Sequence, residues 1–258
     1  MFDLKKADFC AKQLKLYFKE TSKTINANVE IPNDIIPGTN NHIVYLFYSC
    51  LLDYGMRSKN YHQNLINTYK NHKEIFNPKF VIANYLNNEL ELFAIIKDNI
   101  HPRYPNVALK KWLVLSKFLN DNFPKESLKE KITSLKSYKE LYNFIKNING
   151  YGQKTGGLLL RLIYESGICH FNDDIDNIPI DRHDIEISYL NGIIKKENLN
   201  SKEIEQLGKT WIKVAHQNNI KASDIDKYLW IIGNSLCSKK ECNNCPINKN
   251  CQKKKGIQ

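Results

Sequence analysis

Apolar positions along the chain recur at three- and four-residue spacing, and no convincing alternating run is present, so helices rather than strands are predicted. Over residues 3–20, Leu4, Phe9, Leu14 and Phe18 fall near one face. Residues 41–52 read as a strongly apolar helix with Val44, Leu46, Phe47 and Leu51, and 60–71, 78–87 and 88–96 as short amphipathic helices. Residues 105–122 carry Val107, Leu109, Trp112, Leu113, Leu115 and Phe118, and stop where Asp121, Asn122 and Pro124 break the pattern. Segments 137–148 and 154–165 flank a glycine-bearing turn, and 181–191, 201–218 and 223–234 complete the set. About ten or eleven helices with short links make an all-α protein. The polar stretch 20–41, with Pro32 and Pro37, reads as an extended or weakly β-like connector. A second loop, 167–180, holds Asp173, Asp174 and Asp176 without EF-hand spacing, and is expected to be a solvated acidic loop rather than a metal loop. No internal repeat or low-complexity linker is visible.

Composition bounds this picture. The chain has 258 residues, 42% apolar and 25% charged, which excludes wholesale disorder and fits one large domain or two lobes. No run approaches the roughly eighteen apolar residues that span a bilayer, and the N-terminus lacks a signal-peptide core. A soluble protein of the cytoplasm or nucleoid is expected. Lys plus Arg is 38 against 27 acids, a net charge of +11, and only Arg57, Arg103, Arg161 and Arg182 are arginines. The excess is uneven. Residues 101–160 hold eleven basic and four acidic side chains, whereas 161–200 hold four basic and eight acidic. A polyanion-binding face explains such a stretch, and nucleic acid is the commonest polyanion; a Lys- and Asn-rich codon bias explains it too.

Of seven cysteines, four crowd into the tail. Cys10, Cys50 and Cys169 sit singly in apolar surroundings and read as small core residues. Cys237, Cys242, Cys245 and Cys251 give the spacing C-x4-C-x2-C-x5-C, compact enough for four thiolates to hold one metal centre. Zinc and an iron–sulfur cluster both suit four thiolates, and spacing alone leaves the two open.

Between two helices stands Ile148-Asn149-Gly150-Tyr151-Gly152-Gln153-Lys154-Thr155. Two glycines permit backbone angles that turn amides outward, and the next helix adds its own unpaired N–H groups, so the turn can cradle a phosphate. Lys154 falls in the first turn of that helix, where the helix dipole disfavours a cation. That is one placement of a nucleophilic lysine, and an ordinary phosphate-contacting or solvated lysine fits as well. Downstream, Pro179-Ile180-Asp181-Arg182-His183 places Asp181 at a helix start, the usual position of an N-cap.

Taken in order, INGYGQKTG, IDRH and GNSLC followed by the four-cysteine series resemble the helix-hairpin-helix DNA glycosylases, most closely the endonuclease III branch with its iron–sulfur tail. Gly233 stands four residues before Cys237, as that pattern requires. The resemblance covers roughly residues 41–251. It implies that Lys154 is a Schiff-base lysine and Asp181 the catalytic aspartate. It places Asn149, Gly150, Tyr151, Gly152, Thr155 and His183 against DNA, and makes Cys237, Cys242, Cys245 and Cys251 the ligands of a [4Fe–4S] cluster, with zinc the lesser alternative.

The same resemblance implies two helical lobes with a DNA cleft between them. Residues 37–164 would form a six-helix barrel ending in the hairpin, and 1–36 with 165–258 a second helical domain carrying the cluster loop 237–251. The partner would be duplex DNA with a damaged base or abasic site, bound by a monomer. A bifunctional glycosylase/AP lyase for oxidised bases is expected. A monofunctional uracil- or mismatch-type glycosylase and a non-catalytic DNA clamp are the rivals. This sequence also departs from the pattern. The first cysteine gap is shorter, Asn149 replaces a proline, and the stretch from Lys154 to Asp181 is longer. Gly55 occupies the place of the glutamine that fills the gap left by a flipped base, with Tyr54, Met56 or Arg57 as substitutes.

Overall fold

The computed structural model describes residues 2–20, 30–52, 58–124, 127–175 and 178–252. Asp53, Tyr54, Gly55, Met56 and Arg57, Asp176, and the tail lysines Lys253, Lys254 and Lys255 lie outside the described residues. Every regular element among those described is helical, as the periodicity predicts. The chain divides into two units, Met1–Asn26 with Asp173–Gln258, and Ala27–Asn172.

The central unit, 27–172, is built around α2 (Asn40–Leu51). Every residue from His42 to Leu51 is buried, which explains why its sequence is apolar on all sides rather than on one stripe. Around it come α3 (Ser58–Asn71), α4 (Pro78–Tyr85), α5 (Glu89–Ile95), α6 (Pro105–Asn122), α7 (Ser127–Ser134), α8 (Tyr138–Lys146) and α9 (Gln153–Glu165). The core is aromatic. Tyr48 stacks on Trp112 at 4.4 Å, Phe76 meets the same indole edge-on at 5.3 Å, and Trp112 Nε1 donates to the Ile75 carbonyl at 2.9 Å. Tyr48 Oη and Ser116 Oγ share a hydrogen bond of 2.6 Å, which satisfies the hydroxyl that Tyr48 brings into this core.

Two local expectations differ from the structure. Periodicity gives no helix over Ser127–Ser134, because Leu128 and Ile132 are the only apolar residues among eight; both are buried and α7 packs on α2, so a single i, i+4 pair is enough to seat it. The described part of the 20–41 connector is turns rather than extended chain. Ile35 N bonds to Pro32 O and Thr39 N to Ile36 O, with Gly38 at φ +75°. The Pro-x-x and Pro-Gly sequences impose those turns.

The second unit joins α1 (Leu4–Glu20) to α10 (Arg182–Leu190), α11 (Ser201–Gln217) and α12 (Ala222–Ile231). Ala7, Cys10, Ala11 and Leu14 line the α1 face against α11, and the small residues let the two helices approach closely. Trp211 is fully buried and its Nε1 donates to Ser188 Oγ at 3.1 Å. After α12 the chain continues as a π-helical turn over Ile232–Cys237, then two short 3₁₀ turns, Cys242–Asn244 and Asn248–Asn250.

Candidate functional site

The hairpin belongs to the central unit and is fastened from inside. Tyr151 is 3% exposed; its hydroxyl donates to the Phe47 carbonyl at 2.6 Å and its ring meets Phe47 edge-on at 5.6 Å. Its side chain is therefore an anchor on α2, and burial lifts its phenol well above the ordinary range. Thr155 is likewise buried, with Oγ1 donating to the Gly150 carbonyl at 3.4 Å across the turn. Gly150 has φ +104°, and a Cβ there would lie 3.1 Å from Leu51 Cδ1, so glycine is required by both backbone and space.

What the anchored turn presents outward is backbone. Asn149, Gly152 and Lys154 are exposed. Gly152 caps α9 without a side-chain hydrogen bond, and the helix's first backbone bond runs from Gly156 N to Gly152 O at 2.8 Å. Among the described residues no group accepts from the Gly150 or Gly152 N–H. These amides and the N-terminus of α9 make a seat for an anion, with Lys154 at its edge.

Asp181 belongs to the other unit and opens α10. Its Oδ1 accepts from His183 N at 2.6 Å and Asp184 N at 3.2 Å. Asp184 Oδ2 accepts from Asp181 N at 2.7 Å in return, which closes a capping box. The N-cap role of Asp181 is thus real, and its carboxyl is half-buried. His183 packs on the backbone of Gly233 in the π turn, where a Cβ would come within 2.5 Å of the His183 Cβ.

Sequence reasoning overlooked Asp184. It is 3% exposed, and its Oδ1 has no hydrogen-bond partner among the described residues. Burial first, then the charges of Asp181 and Asp226, push its carboxyl well above the usual carboxylate range. Asp226, on α12, is itself 7% exposed. The available signal was the D-x-x-D spacing of a capping box at 181–184.

The acidic loop also has a structural task. Asp174 accepts hydrogen bonds from Ala222 N and Ser223 N, the latter at 3.2 Å, and lies 3.5 Å from His216 Nε2. Lys221 offers α12 no side-chain cap, so Asp174 caps that helix from 48 residues away.

The four tail cysteines lie in one segment that follows α12. Cys237 ends the π turn, and Cys242, Cys245 and Cys251 bracket the two 3₁₀ turns. Cys245 N donates to Cys242 O, Asn248 N to Cys245 O, Cys251 N to Asn248 O, and Asn248 Nδ2 to Cys242 O at 2.9 Å. Ile247, 1% exposed, plugs the loop into the core of its unit. Burial pushes the Cys245 thiol up to about 11, and Cys251, Cys237 and Cys242 all act on it electrostatically. Cys10 of α1 is pushed to about 12, mainly by burial and secondarily by Cys245 and Cys251. Among the described residues no three potential ligands converge closely enough to hold a single ion. Cys10, Cys50 and Cys169 are all buried, as core thiols should be.

No protein-family model matches the chain, and no curated protein matches it. Solved structures do. The chain is similar in fold to the 8-oxoguanine DNA glycosylase of Thermotoga maritima, with TM-score 0.56 and 17% identity over 88% of this chain and 96% of that one. It is also similar to the 8-oxoguanine DNA glycosylase of Methanocaldococcus jannaschii, with TM-score 0.52 and 17% identity over 89% and 92%. The latter's 8-oxoguanine glycosylase/lyase in complex with a 15mer DNA containing 8-oxoguanine gives TM-score 0.51 and 18% identity over 87% and 89%. At these identities the likeness is one of fold. No described helix is long and apolar enough to cross a membrane.

Proposed function

We propose that this chain is a helix-hairpin-helix DNA glycosylase with AP lyase activity, which removes an oxidised base from duplex DNA. 8-Oxoguanine is the first substrate to try, because it names the structures of similar fold. The observation that carries the reading is the hairpin. Its two apolar-facing side chains, Tyr151 and Thr155, are spent on anchoring, which leaves amides and Lys154 on the outside. Amides grip phosphate without reading sequence, as an enzyme that searches for rare lesions requires. The basic excess over 101–160 adds salt-dependent affinity.

In this reading the damaged nucleotide is flipped from the stack. Asp181 takes a proton from the Lys154 ammonium and hands it to the departing base, and the carboxylate so restored stabilises the cationic character that develops on the sugar. The Lys154 amine then bonds to C1′ as the bond from C1′ to the base breaks, and the base leaves with that electron pair and a proton. The sugar opens to an imine, and loss of a C2′ proton expels the 3′ phosphate. His183, braced on Gly233, fixes the start of α10 and hence the Asp181 carboxyl. Cys237, Cys242, Cys245 and Cys251 would hold a [4Fe–4S] cluster, which when bound supplies structural cross-linking of the basic tail. We read the active species as a monomer.

The test is base release and strand cleavage by the full chain on duplexes carrying 8-oxoguanine and other oxidised bases, each opposite all four partners. Release at an oxidised purine or pyrimidine supports the reading. Silence on every lesion, with duplex binding intact, overturns it.

A further inference from the structure

Two carboxyl groups meet at the start of α10. Asp181 and Asp184 exchange backbone-to-carboxylate hydrogen bonds of 2.7 Å and 3.2 Å, which hold the two carboxyl groups side by side. Two carboxylates have no hydrogen to share, so a bond between these neighbours requires a proton on one member. Burial decides which. Asp184 is 3% exposed, whereas Asp181 is half-buried. Asp184 Oδ2 already accepts the Asp181 N–H, and its Oδ1 has no donor among the described residues to satisfy a charge. The charged groups facing it are Asp181 from its own capping turn and Asp226 from α12, and both repel a second negative charge. The π turn packed on α10 brings Cys237 as its ionisable group, and His183 stands between that turn and the helix start.

We propose that Asp184 is kept as a neutral acid whose O–H donates to the Asp181 carboxylate, so that it orients that carboxylate and leaves the charge of the pair on the half-buried member. This rests on Asp181 being the reacting carboxylate. Asp184 is then a positioning residue, since it acts through Asp181. A proton stored one hydrogen bond away costs no reorganisation when charge develops on the sugar, because the donor is already in place.

Infrared spectroscopy of the full-length protein at pH 7.5 reads the proton directly, without substrate. The proposal expects a neutral-carboxyl C=O band in the native protein, lost in folded Asp184→Asn. No such band in the native protein, or one that persists in folded Asp184→Asn, overturns it. Should Asp184→Asn fail to fold, Asp226→Asn replaces it. Removing that neighbouring charge must lower the pH at which the band disappears, and an unmoved midpoint overturns the proposal. Activity gives the second readout. Asp184→Ala should lower base release about ten-fold or more, while Asp184→Asn, which keeps a donor and an acceptor, should restore it to within about three-fold of the native rate. Equal loss in both variants, each folded, counts against a donor role. A silent lesion panel with the band present would sink the glycosylase reading and leave the shared proton standing.

Discussion

Gly233 lies so close to His183 that a Cβ added to it would sit 2.5 Å from the His183 Cβ and 2.8 Å from Cγ. The contact joins the π turn that delivers Cys237 to the helix start that carries Asp181. Gly233→Ala must therefore displace one or the other, and overpacking of this kind costs about 1–3 kcal/mol. Thermal denaturation should show a lowered Tm, and base release should fall with it. A native Tm would mean that α10 yields freely.

The hairpin glycine gives a second prediction. Gly150→Ala forces a side chain into φ +104° and against Leu51, so a loss of about 1–3 kcal/mol is expected. Because the same turn supplies the proposed phosphate seat, duplex affinity should weaken at equal extent for damaged and undamaged DNA. Fluorescence anisotropy on both duplexes reads this.

Asp174→Ala removes a long-range helix cap. The Ala222 and Ser223 amides lose their acceptor, which costs about 0.5–2 kcal/mol. Hydrogen exchange should rise at the start of α12 while the hairpin is unaffected.

Stability should depend on pH through Asp184. Below its ordinary value of 3.8 the group is protonated whether folded or unfolded and contributes no slope. Above it the unfolded chain releases the proton while the folded chain keeps it. The folded state then binds more protons, so stability falls as pH rises, until the folded carboxyl also titrates. Asp184→Asn cannot titrate. Its stability relative to the native chain should rise from about pH 4 upward, by ~1.4 kcal/mol per pH unit at most. Parallel Tm-against-pH curves for the two proteins would contradict the raised value.

Metal content tests the tail. The purified chain should carry iron and acid-labile sulfide and absorb in the visible, and Cys245→Ser should bleach it. One equivalent of zinc and no iron would replace the cluster by a zinc knot.

The helical content was legible because core-facing stripes such as Leu109, Trp112, Leu113 and Leu115 repeat at helical spacing. The escape of α7 has a physical cause: its stability comes from two side chains and a neighbour, neither of which makes a period. The division of labour inside the hairpin was also hidden. Tyr151 and Thr155 share a turn with exposed Gly152 and Lys154, and only the position of α2 behind them decides which face inward. Asp174 and Ala222 are 48 residues apart, so no local spacing announces that cap. Asp184 was readable as a capping-box residue, but the charge of Asp226 that acts on it comes from α12, which packs on α10 from 42 residues along the chain.

Borohydride trapping on a duplex with an abasic site tests the central claim most directly, because it captures the imine itself. The account predicts a covalent protein–DNA adduct that vanishes in Lys154→Gln while duplex binding survives. An adduct of undiminished yield in Lys154→Gln, or none with the native chain on any abasic or damaged duplex it binds, would contradict it.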